Sequence, residues 1–323
     1  MVLAVRNLRV EIQTQIATVP VIDDLSFTLH DGEVVGVVGE SGCGKSMTAL
    51  AILGLLPQDI CNVTAGEILF QGKDLLGLSD TAMQTIRGND ISMIFQEPMT
   101  SLNPVFTVGE QIAEVLRLHQ GLGARAAQAQ AVELLAAVRI PDPKARATAY
   151  PFQLSGGQRQ RVMIAMALAC QPKILIADEP TTALDVTVQA QILELLQDLR
   201  KTMDTAILLI THDMGVIAEM TSRVLVMYAG RKLEEATTQA IITKPIHPYT
   251  QGLIACVPHL SETVQDGDLT EIAGVVPAIT EFGKQNCLFA PRCAHVMAQC
   301  HTARPPQTDC NGHVVECWMT QHA

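Results

Sequence analysis

The stretch that decides the fold of this chain is Gly39-Glu40-Ser41-Gly42-Cys43-Gly44-Lys45-Ser46. It matches the pattern G-x-x-x-x-G-K-[ST], follows an apolar run that ends at Val38, and opens a predicted helix from Lys45 to Leu56. The glycines of such a loop let backbone N–H groups converge on phosphate oxygens, and the helix N-terminus adds positive potential. Lys45 then reaches the β- and γ-phosphates, and Ser46 ligates Mg²⁺. A simple glycine-rich turn is the alternative, but the order of strand, loop and helix favours a nucleotide-phosphate site in an α/β fold.

Two further segments carry chemistry that fits such a site. The apolar strand 174–177 ends in Asp178 and Glu179, where Asp178 suits Mg²⁺ binding and Glu179 is placed to accept the proton of an attacking water. The segment 154–158, LSGGQ, starts a long predicted helix with a serine and two glycines, which indicates a second anion site. Taken alone, the acids indicate only a solvated strand end, and Ser155 an ordinary helix cap. The two anion sites need different positions around a nucleotide, so they need not serve the same ATP molecule.

Elements of two kinds alternate along the chain. Strands are predicted within residues 1–38 and at 67–70, 91–95, 173–177, 206–211 and 224–228, and helices at 108–119, 124–138 and 186–202. The helices after Pro98 interrupt an otherwise alternating α/β pattern. From about Thr237 onward, Pro, His, Gly and Cys accumulate. We therefore predict a nucleotide-binding domain at 1–236, with a helical subdomain at 97–155 inside it, and a C-terminal extension at 237–323.

Composition excludes several classes of protein. The 323 residues are 48% hydrophobic and 17% charged, which is globular rather than disordered composition. The net charge of −11 argues against a nucleic-acid partner, because it repels phosphate backbones. No uncharged apolar stretch approaches the roughly 20 residues of a membrane span, and Arg6, Arg9 and Glu11 interrupt the N-terminus where a signal peptide would be apolar. We expect a cytosolic chain, at most peripheral on a membrane.

The order of these motifs resembles the ATP-binding subunit of ABC transporters over about residues 1–235, with Gln96, Ala183-Leu184-Asp185 and His212 in the family's places. The resemblance implies a P-loop NTPase core with a β subdomain, a helical insert and a small Cys-rich C-terminal extension. It implies that Gln96 senses the Mg²⁺, the γ-phosphate and the membrane partner, and that His212 holds the γ-phosphate near Glu179. It also implies that LSGGQ contacts ATP held on the opposite subunit and that Asp185 lies in a loop crossing the dimer interface.

The resemblance assigns a full set of site residues. The ATP-binding residues are Gly39, Glu40, Ser41, Gly42, Cys43, Gly44, Lys45, Ser46, Met47, Gln96 and Asp178; the Mg²⁺ ligands are Ser46, Gln96 and Asp178; the catalytic residues are Glu179 and His212; and the residues facing the second subunit's ATP are Ser155, Gly156, Gly157 and Gln158. The chain departs from the family at one point, because residues 1–26 contain no aromatic residue to stack on adenine. Ile12 or Ile16 would offer a flat apolar contact instead.

Three segments narrow the resemblance to one branch of the family. The run 95–104 (FQEPMTSLNP), the pair Tyr150-Pro151 and the segment 247–250 (HPYT) resemble the dipeptide/oligopeptide/nickel importers, and within them the dipeptide-importer ATPase subunits. The resemblance implies an ATPase that powers import of short peptides, dipeptides above all, from the cytoplasmic face of the inner membrane. Its implied partners are a second, different ABC ATPase, two membrane permease subunits and an extracytoplasmic solute-binding protein. The alternatives are a nickel, metallophore or antimicrobial-peptide transporter, a soluble ABC ATPase of DNA repair or translation, and a sensor whose main function lies in its Cys-rich tail.

Five of the nine cysteines lie within 287–317. In a cytosolic chain such clustering argues for a metal or cluster site before a disulfide scaffold. Their spacing contains no C-x-x-C pair, so the residues alone leave zinc, an iron–sulfur cluster and unligated thiols open. The run 287–293 (CLFAPRC) resembles the tail of the dipeptide-importer subunits. That resemblance implies a [4Fe–4S] cluster, with zinc as the alternative, on Cys287, Cys293, Cys300 and Cys317. Cys310 is then the spare thiol, and it is the alternative to Cys317 as the fourth ligand.

Overall fold

The computed structural model of the chain describes residues 1–96, 101–182, 184–256 and 271–321, with the side chains of 199–203 excepted. Glu97, Pro98, Met99 and Thr100 of the branch-specific run, and Ala183 of the predicted dimer-interface motif, lie outside the described residues. The strands are β1 (Leu3–Gln13), β2 (Thr18–Leu29), β3 (Val34–Val38), β4 (Cys61–Phe70), β5 (Lys73–Asp74), β6 (Ile91–Ile94), β7 (Ile174–Asp178), β8 (Ala206–Ile210), β9 (Arg223–Tyr228), β10 (Arg231–Thr237), β11 (Gln307–Asp309) and β12 (Val314–Glu316). The helices are α1 (Lys45–Ile52), α2 (Asp80–Ile86), α3 (Val108–Gln120), α4 (Ala124–Ala137), α5 (Pro143–Ala147), α6 (Gly156–Leu168), α7 (Val186–Met203), α8 (Met214–Met220), α9 (Thr238–Thr243) and α10 (Pro248–Ala255).

Two sheets organise these elements. The larger one has the order β11-β12-β10-β9-β3-β8-β7-β6, and its stretch from β9 to β6 is parallel throughout. The smaller sheet has the order β2-β1-β4-β5 and is antiparallel. The α/β fold with its added β subdomain agrees with the prediction.

The central parallel strands β3, β7 and β8 are almost wholly apolar because both of their faces are buried. Ile174 and Ile176 of β7 pack into the core shared with the smaller sheet and α1. Leu175 and Ala177, which point the other way, pack into the core shared with α6, α7 and the helices α3 and α4. The helical insert is thus fixed to the sheet through one continuous apolar core.

Most predicted elements are confirmed, and two boundaries are wrong. The strand predicted at 67–70 is β4, which begins earlier, at Cys61. Helices α3 and α4 match the predicted runs to within a residue, and α7 spans the predicted range. Helix α1, predicted to reach Leu56, ends at Ile52 instead. The cause is Gly54, which adopts a φ of 61° and lets the N–H of Leu55 bond to the carbonyl of Leu50 at 2.8 Å. This is the hydrogen-bond pattern of a glycine-terminated helix.

The C-terminal extension continues the large sheet. Strand β12 pairs antiparallel with β10, and β11 completes the hairpin. The predicted boundary between residues 236 and 237 falls inside strand β10. Arg231 of that strand is 1% exposed, pairs with Asp23 of β2 and donates to the carbonyls of Lys284 and Asn286. The extension is therefore packed against the core by buried polar contacts, and the division between the two domains remains a prediction.

Among the described residues, none of the helices combines the length and the apolar character that spanning a bilayer requires.

Candidate functional site

The predicted site residues collect at one edge of the large sheet. Strands β6, β7, β8 and β3 are parallel neighbours, so their carboxyl ends meet at that edge. The phosphate loop follows β3, Gln96 follows β6, Glu179 follows β7 and His212 follows β8. In open α/β sheets this edge is where ligands bind.

The loop 39–46 takes a shape that only glycine allows at two places. A Cβ at Gly39 would lie 2.1 Å from the carbonyl oxygen of Met227, and one at Gly44 would lie 2.8 Å from that of Val21. Gly44 also has a φ of 100°, which side chains disfavour. The backbone of neighbouring strands therefore encloses the loop and leaves its open side for a ligand.

Lys45 points back into this loop. Its ammonium group donates to the carbonyls of Gly39, at 2.7 Å, and Glu40, at 3.1 Å, and the residue is 6% exposed. The two carbonyls and the more distant thiol of Cys43 carry no full negative charge. The buried ammonium group of Lys45 therefore has no anionic partner among these contacts. Phosphate oxygens are the ligand that supplies one.

The environment of Asp178, the last residue of β7, shows whether the site suits Mg²⁺. It is 3% exposed, and its Oδ1 has no hydrogen-bond partner. Burial raises the pKa of this carboxyl, an effect that the nearby hydroxyl of Ser46 opposes. A buried, unpaired carboxylate oxygen beside a serine hydroxyl is the donor set that Mg²⁺ takes alongside nucleotide phosphates. The residues present fit the ion.

Glu179 is held by three side chains. Its carboxylate accepts hydrogen bonds from the Gln96 amide at 3.1 Å and the Thr182 hydroxyl at 2.7 Å, and it lies 3.3 Å from Nδ1 of His212. Burial would raise the pKa of Glu179, but the hydrogen bonds from Thr182 and His212 and the charges of His212 and Lys45 outweigh it and lower the pKa. Glu179 is therefore a carboxylate at neutral pH. Thr182 was not predicted from the sequence, because only the charged residues of this motif indicate a function there.

An open cleft of about 340 Å³ lies on the ligand side of the loop. Its lining residues are Ile12, Val21, Ser41, Gly42, Gly44, Lys45, Ser46, Met47, Gln96, Glu179 and Ile279. Of the two isoleucines predicted to face the base, Ile12 lines the cleft, whereas Ile16 is 87% exposed and does not. Val21 and Ile279 were not predicted. No local pattern marks them, because they reach the cleft only through the packing of β2 and of the C-terminal extension.

The glycines of LSGGQ lie elsewhere. Ser155 caps helix α6 by accepting the N–H of Gln158, whose side chain accepts the N–H of Ser155 in return. Ser155 and Gly156 are exposed, and none of the four residues 155–158 lines the cleft. Asp185 is also exposed and caps α7 through the N–H of Val188. The N-terminus of α6 is thus formed and open, but it does not share a cavity with the phosphate loop of its own chain.

Residues of the C-terminal extension contact the phosphate loop directly. The backbone N–H of Glu40 donates to the hydroxyl of Tyr249 at 2.9 Å, and the carboxylate of Glu40 pairs with Arg292. Tyr249 packs on Tyr228 and Phe289, with ring centroids 4.7 and 5.4 Å away. The N–H of Glu40, one of the predicted ATP-binding residues, is therefore already occupied by Tyr249.

The tail cysteines divide into two groups. Cys287, Cys293, Cys300 and Cys317 line one small cavity of about 10 Å³ together with His247, whereas Cys310 lies in the β11–β12 hairpin, where its N–H bonds to the carbonyl of His313. Burial raises the pKa of Cys287 to about 12 and also raises the pKa of Cys293 and Cys317. In the part of the chain that the structure describes, no set of three or more His, Cys, Asp or Glu side chains is arranged to hold a metal ion. The donor chemistry suits a metal or cluster, but the cavity is no larger than one water needs.

Comparison with protein families gives two matches. Residues 22–182 match the model described as ABC transporter. Residues 233–300 match the model described as oligopeptide/dipeptide transporter, C-terminal region.

Two proteins described by sequence are similar to the chain along nearly its whole length, and a solved structure is similar over a shorter part of it. The dipeptide transport ATP-binding protein DppD of Bacillus subtilis is 50% identical over 319 residues, which cover 98% of this chain and 94% of that protein. The oligopeptide transport ATP-binding protein OppD of Haemophilus influenzae is 48% identical, over 98% of this chain and 97% of that protein. The dimeric structure of MJ0796, a bacterial ABC transporter cassette, is similar with a TM-score of 0.66 and 28% identity, over 73% of this chain and 98% of that one.

Proposed function

The chain belongs to the ABC transporter family, in its oligopeptide and dipeptide importers, and from that premise we propose how it works and what it carries. It is an ATP-binding subunit whose ATP hydrolysis powers peptide import. We propose dipeptides as the cargo, and the near full-length identity to a dipeptide transport ATP-binding protein is the observation that supports this most. A nickel, metallophore or antimicrobial-peptide cargo is the alternative within the same family.

In the proposed reaction, the loop 39–46 binds the phosphates of ATP and Lys45 pairs with their charge. Ser46, Asp178 and Gln96 would hold Mg²⁺, which neutralises charge on the phosphates when bound. Glu179 accepts a proton from water, whose oxygen bonds to the γ-phosphorus while the bond to the β,γ-bridging oxygen breaks. The products are ADP and phosphate. Gln96, Thr182 and His212 hold the carboxylate of Glu179 in place for this step.

The two anion sites of the chain serve two different ATP molecules in this proposal. The exposed N-terminus of α6, with Ser155, Gly156, Gly157 and Gln158, contacts the ATP of a second subunit, and Asp185 lies at the interface between them. The separation of this helix end from the cleft supports the arrangement. The solved structure of the similar cassette MJ0796 is dimeric, which supports it as well. We propose a different ABC ATPase as the second subunit.

The remaining partners follow from the function. An ATPase of a peptide importer acts with membrane permease subunits and a substrate-binding protein. We propose two permeases, an extracytoplasmic binding protein, and a peripheral position on the cytoplasmic face of the inner membrane. We also propose the division into a domain at 1–236, with its helical subdomain at 97–155, and an extension at 237–323.

For the extension we propose a [4Fe–4S] cluster on Cys287, Cys293, Cys300 and Cys317, with zinc as the alternative. These four side chains line one cavity, which supports them as the set of ligands, and that cavity would have to widen to take the cluster. The absence of Cys310 from the cavity favours Cys317 as the fourth ligand. The chain as purified should carry iron and absorb broadly near ~400 nm, as Cys-ligated clusters do. Stoichiometric zinc without that absorption would refute the cluster.

Uptake of a labelled dipeptide beside radiolabelled nickel tests the proposed function. Cells would carry the wild type, Glu179→Gln, or the control Glu194→Gln, an exposed acid of α7 that pairs with Arg139. We expect Glu179→Gln to abolish dipeptide uptake while nickel uptake and ATP binding persist, and Glu194→Gln to behave as wild type. Persisting dipeptide uptake in Glu179→Gln would refute the cargo or the base, and loss of nickel uptake alone would favour the nickel alternative.

A further inference from the structure

The nucleotide cleft is lined by residues of two chemical kinds. Lys45, Ser46 and Glu179 contribute polar and charged groups, and Ile12, Val21 and Ile279 contribute aliphatic side chains without polar groups. ATP has the same division, because its triphosphate is anionic and the faces of its base are apolar. The three aliphatic residues therefore match the base, and the polar groups match the triphosphate.

Ile279 comes from far along the chain. It lies in residues 271–283, which we call the strap, and begins a short 3₁₀ helix, Ile279–Glu281, that packs on β2. Ile279 is 40% exposed, whereas Val21 of β2 is 6% exposed. A large apolar side chain that is left open inside a ligand cleft has surface still to bury when a base binds.

Two contacts hold the strap in position. Arg292, itself bonded to the phosphate loop, donates to the carbonyls of Ile272 and Ala273, each at 3.0 Å. At the other end Gly283, with a φ of 78°, lies so close to Pro20 of β2 that a Cβ there would be 2.4 Å from the proline ring. The strap is thus held at both ends, and Ile279 between them lines the cleft.

We propose that Ile279 is a nucleotide-binding residue, which contacts the base of ATP together with Ile12 and Val21. The inference rests on the ATPase function proposed above. It makes the C-terminal extension part of the nucleotide site, and it fills the place that an aromatic residue near the N-terminus does not supply. Aliphatic contacts bury the base without bonding to its edge, so adenine and guanine are held nearly alike.

The test measures separately what the base and the phosphates contribute to nucleotide affinity. Isothermal titration of the full chain with ATP, GTP and inorganic tripolyphosphate, each with Mg²⁺, would compare the wild type with Ile279→Ala and Ile279→Phe. Val275→Ala is the matched control, because Val275 lies in the same strap and is 87% exposed outside the cleft. For Ile279→Ala we expect ATP binding weakened about 3- to 5-fold, as the loss of part of an apolar contact implies, and unchanged tripolyphosphate binding. Ile279→Phe should bind ATP at least as tightly as wild type, and GTP should bind the wild type within about threefold of ATP.

Different outcomes would overturn the role of Ile279 and the proposed ATPase function. Equal ATP affinity in Ile279→Ala and Val275→Ala would overturn the role of Ile279. Equal weakening of ATP and tripolyphosphate would also overturn it, because Ile279 would then act only through the position of the loop. A wild type that binds tripolyphosphate and no ATP would instead refute the proposed ATPase function.

Discussion

Arg292 of the C-terminal extension binds Glu40 of the phosphate loop through two hydrogen bonds, of 2.6 Å from Nη1 to Oε2 and 3.0 Å from Nη2 to Oε1. The side chain of Arg292 is 4% exposed, and its remaining donors go to the carbonyls of Ile272 and Ala273 and to the hydroxyl of Tyr228. One planar guanidinium group therefore connects the phosphate loop, the strap and Tyr228 of β9. Lysine has no comparable fork of donors.

Arg292→Lys should accordingly lower stability although it keeps the charge. Several of these hydrogen bonds would be left unmade, at a cost of about 1–3 kcal/mol in the free energy of unfolding. Thermal and urea unfolding would measure this change in the free energy of unfolding. The matched control is Arg125→Lys, at an exposed position of α4, which should change stability by less than about 0.5 kcal/mol. Equal effects of the two substitutions would show that the contacts of Arg292 contribute nothing.

Gly156→Asp should prevent ATP-driven pairing of subunits while it leaves folding and ATP binding intact. A Cβ at Gly156 meets only Leu184, at 3.9 Å, so the side chain fits. Its charge would face the phosphates of the second subunit's ATP and repel them, and it lies outside the chain's own cleft. Analytical ultracentrifugation with ATP and the partner ATPase would measure pairing. Gly77→Asp, also at an exposed and open position, is the control. Normal pairing of Gly156→Asp would contradict the proposed composite site.

Stability should fall with acid partly through Glu33. Burial would raise the pKa of Glu33, but the hydrogen bonds from Arg223 and from the N–H of His30 outweigh it and lower the pKa. A carboxylate whose pKa is lower in the folded than in the unfolded chain stabilises the fold above its ordinary pKa of 4.5 and loses that effect as the pH falls through the folded value. The melting temperature of the wild type should therefore decrease more steeply from pH 5 to pH 3 than that of Glu33→Gln. At neutral pH the variant should have the lower melting temperature. Parallel curves would contradict the role of Glu33.

Cys317→Ser should abolish the cluster, and Cys310→Ser should retain it. Cys317 lines the cavity shared with the other three cysteines, whereas Cys310 is in the hairpin turn. Iron per chain and the absorbance near ~400 nm would be measured for both variants. Loss of iron in Cys310→Ser, with retention in Cys317→Ser, would reverse the ligand assignment.

Much of the site was accessible from the sequence because its motifs follow strand ends. Lys45 follows β3 through the phosphate loop, Gln96 comes shortly after β6, and Asp178 and Glu179 lie at the end of β7. Parallel strands that end at one edge bring such residues together. Thr182, Val21 and Ile279 were missed. Thr182 carries no charge to mark it, and the two aliphatic residues look like any other apolar residue in their segments.

The sequence by itself determined the phosphate loop, the caps of the helices and the apolar strands, because each depends on residues within a few positions of one another. Gly39 and Gly44 specify the loop, and Ser155 with Gln158 specifies the start of α6. Only the tertiary structure decided that Arg292 binds Glu40 and that Ile279 reaches the cleft. Such contacts join segments more than 200 positions apart, and they depend on how β10, β12 and the strap pack against the core rather than on any local preference of the chain.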